Sequence, residues 1–124
     1  MKILLVEDSK FVRVAMERSL ASRGYEVLGA RDGEEALRLA FENVPDLILL
    51  DMMLPKMTGP DLLHALKHDP VTAHIPVVVL SALSQKNEAK LLEAGAAAYF
   101  EKSEKTFEKD MGGLFQMIEN ILKK

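Results

Sequence analysis

The chain has 124 residues, 48% hydrophobic and 28% charged, the balance of a single globular domain and not of a disordered segment. Its net charge is −3, with Lys and Arg spread along the chain, so nothing resembles an electrostatic footprint for nucleic acid. The absence of cysteine excludes disulfides, thiolate metal sites and cysteine nucleophiles, and fits a reducing cytoplasm.

Met1-Lys2 leads at once into a strand-like run over 2–6, too short for a signal peptide or a membrane span. From Ser9 to Arg23, the apolar residues Phe11, Val12, Ala15, Met16 and Leu20 recur with helical period. Asp8 or Ser9 is the expected N-cap and Gly24 the stop. Residues 25–30 form a second strand, poorer in apolar content and so expected near an edge. Asp32-Gly33 opens a helix through Ala36, Leu37, Ala40 and Phe41 that ends before Pro45.

The run Asp46-Leu47-Ile48-Leu49-Leu50-Asp51 shows no alternation. That pattern predicts a strand buried on both faces, as in a parallel sheet covered by helices. Thr58-Gly59-Pro60 starts the next helix, with Leu62, Leu63 and Leu66 facing inward, and His68-Asp69-Pro70 ends it. Val77-Val78-Val79-Leu80 is a second central strand. Helical period returns over 84–94 with Gly95 as its stop, followed by a weak strand over 96–101. The last helix carries Phe107, Met111, Leu114, Ile118 and Ile121, spaced 4, 3, 4 and 3 apart.

Strict alternation of five strands and helices predicts an α/β, doubly wound parallel sheet of order 2-1-3-4-5, a flavodoxin-like (βα)5 fold. Its ligand crevice lies at the carboxyl ends of strands 1 and 3. Strand 1 ends in Glu7-Asp8 and strand 3 in Asp51, so adjacent strands deliver three carboxylates to one crevice. Like charges that close need a cation among them, and hard oxygen ligands suit Mg²⁺. Strand 4 adds the hydroxyl of Ser81, and strand 5 the ammonium of Lys102. A carboxylate nucleophile, a metal, a hydroxyl and a Lys are the parts needed for phosphoryl transfer to an aspartate. Gly24, Gly29 and Gly33 do not follow a strand in dinucleotide-binding spacing. His64, His68 and His74 show no ligand spacing with carboxylates and read as surface or loop residues.

The set Glu7-Asp8, Asp51, Ser81 and Lys102, with Asp51-Met-Met-Leu-Pro-Lys-Met-Thr-Gly59 and Ser81-Ala82, resembles the receiver domain of two-component response regulators across essentially the whole chain. The resemblance implies that Asp51 accepts a phosphoryl group from a phosphohistidine on a sensor histidine kinase or histidine phosphotransfer protein. Glu7, Asp8 and Asp51, with the backbone carbonyl of Met53, would hold Mg²⁺, for which Mn²⁺ can substitute. Ser81 and Lys102 would contact the phosphoryl oxygens, and Tyr99 would be the aromatic switch. No turnover of a separate substrate is implied.

One departure stands out, since the family usually has Pro after the Lys and this chain has Lys102-Ser103. A cis bond there costs about 2.5–4 kcal/mol, against 0.5–1 before Pro. The change bears on the aim of Lys102 and on coupling to the surface of helix 4, strand 5 and helix 5. Met53 and Leu83 flank the expected path of the attacking water, and both are apolar, which predicts slow loss of the phosphoryl group.

A haloacid-dehalogenase-type phosphatase would need a second Asp where Met53 stands, and a flavodoxin-like carrier would need phosphate-cradling loops. The rival that remains is a pseudo-receiver, a protein-binding module indifferent to phosphorylation. The expectation is one receiver domain over 1–124 acting alone in the cytoplasm. Its output would be binding through helix 4, strand 5 and helix 5, to a partner protein or to a second copy in a phosphorylation-dependent dimer.

Overall fold

The computed structural model describes residues 1–51, 57, 59–81, 93, 95–101 and 111–123. Five parallel strands, β1 (Lys2–Val6), β2 (Glu26–Ala30), β3 (Leu47–Asp51), β4 (Val77–Ser81) and β5 (Ala98–Glu101), form one sheet of order β2-β1-β3-β4-β5, as the sequence predicts. The described helices are α1 (Lys10–Ala21), α2 (Gly33–Asn43), α3 (Gly59–His68) and α4 (Met111–Leu122), the last being the helix numbered fifth from the sequence. The predicted helix over 84–94, apart from Glu93, and Phe107 of the terminal stripe lie outside the described residues.

The unbroken apolar runs are buried on both faces because successive side chains point to opposite sides of the sheet. Leu4, Val6, Ile48, Leu50, Val77 and Val79 pack with Ala36 and Ala40 of α2 and with Leu62, Leu63 and Leu66 of α3. Ile3, Leu5, Leu47, Leu49, Val78 and Leu80 pack on the other side with Met16 and Leu20 of α1 and with Leu114, Phe115 and Ile118 of α4. Each fully buried Leu, Ile or Val contributes about 1.5–3 kcal/mol from loss of water contact. The two half-cores therefore fix the register, which pairs Leu4 with Leu28 and Ile48, and Asp51 with Leu80. β2 is an edge strand, as its composition predicts.

Several boundaries and the orientations of two aromatic residues differ from the sequence reading. β2 begins at Glu26 and β5 at Ala98, each a residue or two later than expected. α1 is capped by Ser9 and ends at Ala21, with Gly24 following in the left-handed region at φ 93°. Phe11 does not belong to the buried stripe and is 85% exposed. The inward row is Val12, Met16 and Leu20, and Phe11 stands one residue, about 100°, off that row. Phe41 is likewise turned outward on α2.

At the amino edge of the sheet, Asp46 Oδ2 accepts from the Lys2 N–H at 2.7 Å and the Asp46 N–H donates to the Lys2 carbonyl at 2.8 Å. The α3–β4 connection is tied by the Thr72 hydroxyl donating to the Leu66 carbonyl, and by Lys67 Nζ donating to the carbonyls of Ala73 (3.1 Å) and Ile75 (2.8 Å). Partial burial holds the Lys67 ammonium below the usual lysine range. These ties lie at the edge of the sheet opposite the one where such folds open their ligand crevice.

Candidate functional site at the carboxyl edge

After β1 the chain turns through α1, on one face, to β2 at the edge. It then crosses back through α2, on the other face, to β3. The two connections part between β1 and β3, which opens the crevice where such sheets bind ligands. Glu7 and Asp8 follow β1 directly, and Asp51 is the last residue of β3. The Val6–Leu50 register places the two strand ends side by side.

Glu7, Asp8 and Asp51 converge as their positions predict, each offering a carboxylate oxygen within 4.8 Å of the others. Glu7 is 2% and Asp51 4% exposed, whereas Asp8 faces solvent. Three carboxylates in this space repel one another in their ionised forms unless a cation shares it. The donor set is all hard oxygen. Two oxygens on one Mg²⁺ lie at most about 4.2 Å apart, given metal–oxygen distances near 2.1 Å. Small side-chain rotations therefore suffice for these residues to hold such an ion, and the residues fit the group.

The backbone of Glu7 is held from both sides. Its N–H donates to the Ala30 carbonyl at the end of β2 (2.9 Å), and its carbonyl accepts from Arg13 Nη1 of α1 (2.9 Å). Arg13 thus orients the acidic pair without joining it. The sequence reading missed this residue, because a side-chain bond to a neighbouring carbonyl leaves no spacing pattern. A second missed residue is Gly33, the first of α2. A Cβ there would stand 2.7 Å from the Cβ of Met57, so glycine lets α2 approach the segment that follows the acidic strand end.

β4 ends at Ser81, in register with Glu101, one position beyond the Asp51–Leu80 pair. Tyr99 lies in β5 opposite Val79 and is partly buried against the cluster under α2 and α3. Met53, Leu83 and Lys102 lie outside the described residues, as does the Lys102-Ser103 bond. His64, His68 and His74 are exposed and stand apart from the acidic group, as expected of surface residues. No helix among the described residues is long and apolar enough to cross a membrane.

Comparison with known proteins agrees with this geometry. The model of the response regulator receiver domain matches residues 3–109. Response regulator PleD of Caulobacter vibrioides is 41% identical over 102 residues, which cover 82% of this chain and 22% of PleD. Polar-differentiation response regulator DivK of Brucella anthropi is 37% identical over 101 residues, covering 81% of this chain and 82% of DivK. The chain thus spans about a fifth of the first relative and most of the second. Among solved structures, the BeF3-activated N-terminal receiver domain of Klebsiella pneumoniae RstA superposes with a TM-score of 0.89 at 29% identity, covering 100% of both chains. The receiver domain of Francisella response regulator 1452 gives 0.87, also at 29% identity, over 98% of this chain and 96% of that one. With its fold, its acidic pocket and the family match over residues 3–109, this chain belongs to the response regulator receiver domains of two-component signalling, which accept a phosphoryl group.

Proposed function

We propose that the chain is a receiver domain over residues 1–124 that is phosphorylated on Asp51 by a phosphohistidine donor. The convergence of Glu7, Asp8 and Asp51 at the carboxyl ends of β1 and β3 carries this reading. A carboxylate oxygen of Asp51 attacks the phosphorus as the donor's N–P bond breaks, and the electron pair returns to the imidazole of a sensor kinase or phosphotransfer protein. Glu7, Asp8, Asp51 and the Met53 carbonyl would hold Mg²⁺, or Mn²⁺ in its place. When bound, the ion neutralises charge on the phosphoryl oxygens.

Ser81 donates a hydrogen bond to one phosphoryl oxygen and Lys102 offsets the charge of another. Asp51 in the product carries about −1.5 to −2 charges. Movement of Ser81 toward that charge draws Tyr99 inward, which biases the surface of the predicted helix 4 over 84–94, strand 5 and helix 5 (α4 of the structure) toward its partner-binding form. The output is protein binding in the cytoplasm, to a downstream partner or a second copy. Neither nucleic acid nor membrane is a direct partner.

The test is the intact mass of the protein after incubation with acetyl phosphate, with and without Mg²⁺, beside Asp51→Asn. One phosphoryl adduct that requires Mg²⁺ and is missing from the variant supports the assignment. An adduct that persists in Asp51→Asn removes Asp51 as acceptor. Mg²⁺ binding without any adduct points instead to a module that works without phosphorylation.

A further inference from the structure

His64 and His68 lie four residues apart on α3, hence one turn apart on the same face, and both are exposed. Their rings lie against each other, with centroids 3.9 Å apart and planes inclined by 30°. His68 Nδ1 stands 2.8 Å from the His64 carbonyl oxygen, which can only accept, so the nitrogen there carries the proton. That bond fixes the tautomer and leaves the lone pair of His68 on Nε2. A ring N–H given to a backbone carbonyl, with the other nitrogen unprotonated, is the usual arrangement of a histidine that ligates a metal. Two His at this spacing on one helix face are a known chelating pair, and imidazole favours Zn²⁺, Cu²⁺ and Ni²⁺ over Mg²⁺.

We infer that His64 and His68 form a second metal site, on the outer face of α3, which takes a borderline divalent ion such as Zn²⁺ through two imidazole nitrogens. Water fills the remaining positions. The site is separate from the acidic pocket in place and in chemistry, since one offers oxygen ligands and the other nitrogen. The two therefore sort ions by hardness. A bound ion bridges two successive turns and so clips the last two turns of α3, the helix that follows the acceptor strand in the chain.

The experiment is calorimetric titration of untagged protein with Zn²⁺ under saturating Mg²⁺, which fills the acidic pocket. The expected result is one Zn²⁺ per chain, with affinity lowered at least about tenfold in His64→Ala and in His68→Ala and retained in Asp8→Asn. Both histidines are exposed and alanine favours helix, so these variants keep the fold. Mg²⁺-dependent phosphorylation should persist in both. Zn²⁺ affinity that is unchanged in both histidine variants, or that is lost in Asp8→Asn, would overturn the site.

Discussion

At the scale of single residues, the acidic pocket depends on a side chain that never enters it. Arg13 reaches from α1 to the Glu7 carbonyl while the Glu7 N–H is held by Ala30, so the peptide that aims Glu7 and Asp8 is fixed at both ends. A charge-assisted hydrogen bond of this kind is worth about 1.5–3 kcal/mol. Replacing Arg13 by Met keeps the apolar part of the side chain and removes only the donor. The expected outcome is Mg²⁺ affinity weakened roughly 10-fold, as for loss of an outer-shell contact, with the three carboxylates intact. Titration of the variant with Mg²⁺ checks this, and an unchanged affinity would make Arg13 a structural contact alone.

Among the elements, α1 and α2 each show a conflict between local preference and the fold. α2 ends with Val44 in the left-handed region at φ 43°, ψ 69°, directly before Pro45. A β-branched residue there is strained by about 1–2 kcal/mol, whereas Asn adopts the conformation more readily. Because Val44 is substantially exposed, Val44→Asn should raise the stability by roughly 1 kcal/mol in urea unfolding, with the slope unchanged.

On α1 the conflict is one of exposure. Phe11, Val14 and Ala15, flanked by Lys10 and Arg18, line an apolar depression on the surface, with Phe11 three residues past Asp8. On the proposed function, a phosphodonor approaching Asp51 would meet this depression, and covering a Phe that is 85% exposed would favour docking. Phe11→Ala is therefore expected to slow phosphoryl transfer from a phosphohistidine protein by about 10-fold or more while leaving transfer from acetyl phosphate unchanged. Equal slowing with both donors would place the effect in the pocket and not in docking.

On the scale of the whole molecule, folding and ligand binding are linked through the crowded carboxylates. An ion that binds only the folded protein stabilises it by about 2.7 kcal/mol at one hundred times its Kd. Thermal unfolding should therefore shift upward with Mg²⁺ in the parent chain and stay put in Asp8→Asn. The metal-free variant should start from a higher Tm, because one of three repelling charges is gone. A parent Tm indifferent to Mg²⁺ would contradict a cation site at the ends of β1 and β3.

Much of this was legible in the chain. The unbroken runs of β1, β3 and β4 announce a sheet buried on both faces, and the acids at the ends of the first two, Glu7-Asp8 after β1 and Asp51 closing β3, name the acidic cluster. Other features could not be read. Periodicity shows that α1 has an apolar stripe but not where the stripe ends around the helix, so Phe11 was placed inside. The hold of Arg13 on the Glu7 carbonyl depends on the angle at which α1 leaves β1. The histidine pair escaped a reading that looked for carboxylate partners, because its second contact is a backbone carbonyl.

The most direct measurement is to locate the modified residue. Protein phosphorylated with acetyl phosphate and Mg²⁺ is reduced with borohydride, which converts an aspartyl phosphate to homoserine, and its peptides are sequenced by mass spectrometry. The account predicts homoserine at position 51 alone. Homoserine at position 8, or none in protein that carries a phosphoryl adduct, would contradict the assignment of Asp51 as the acceptor.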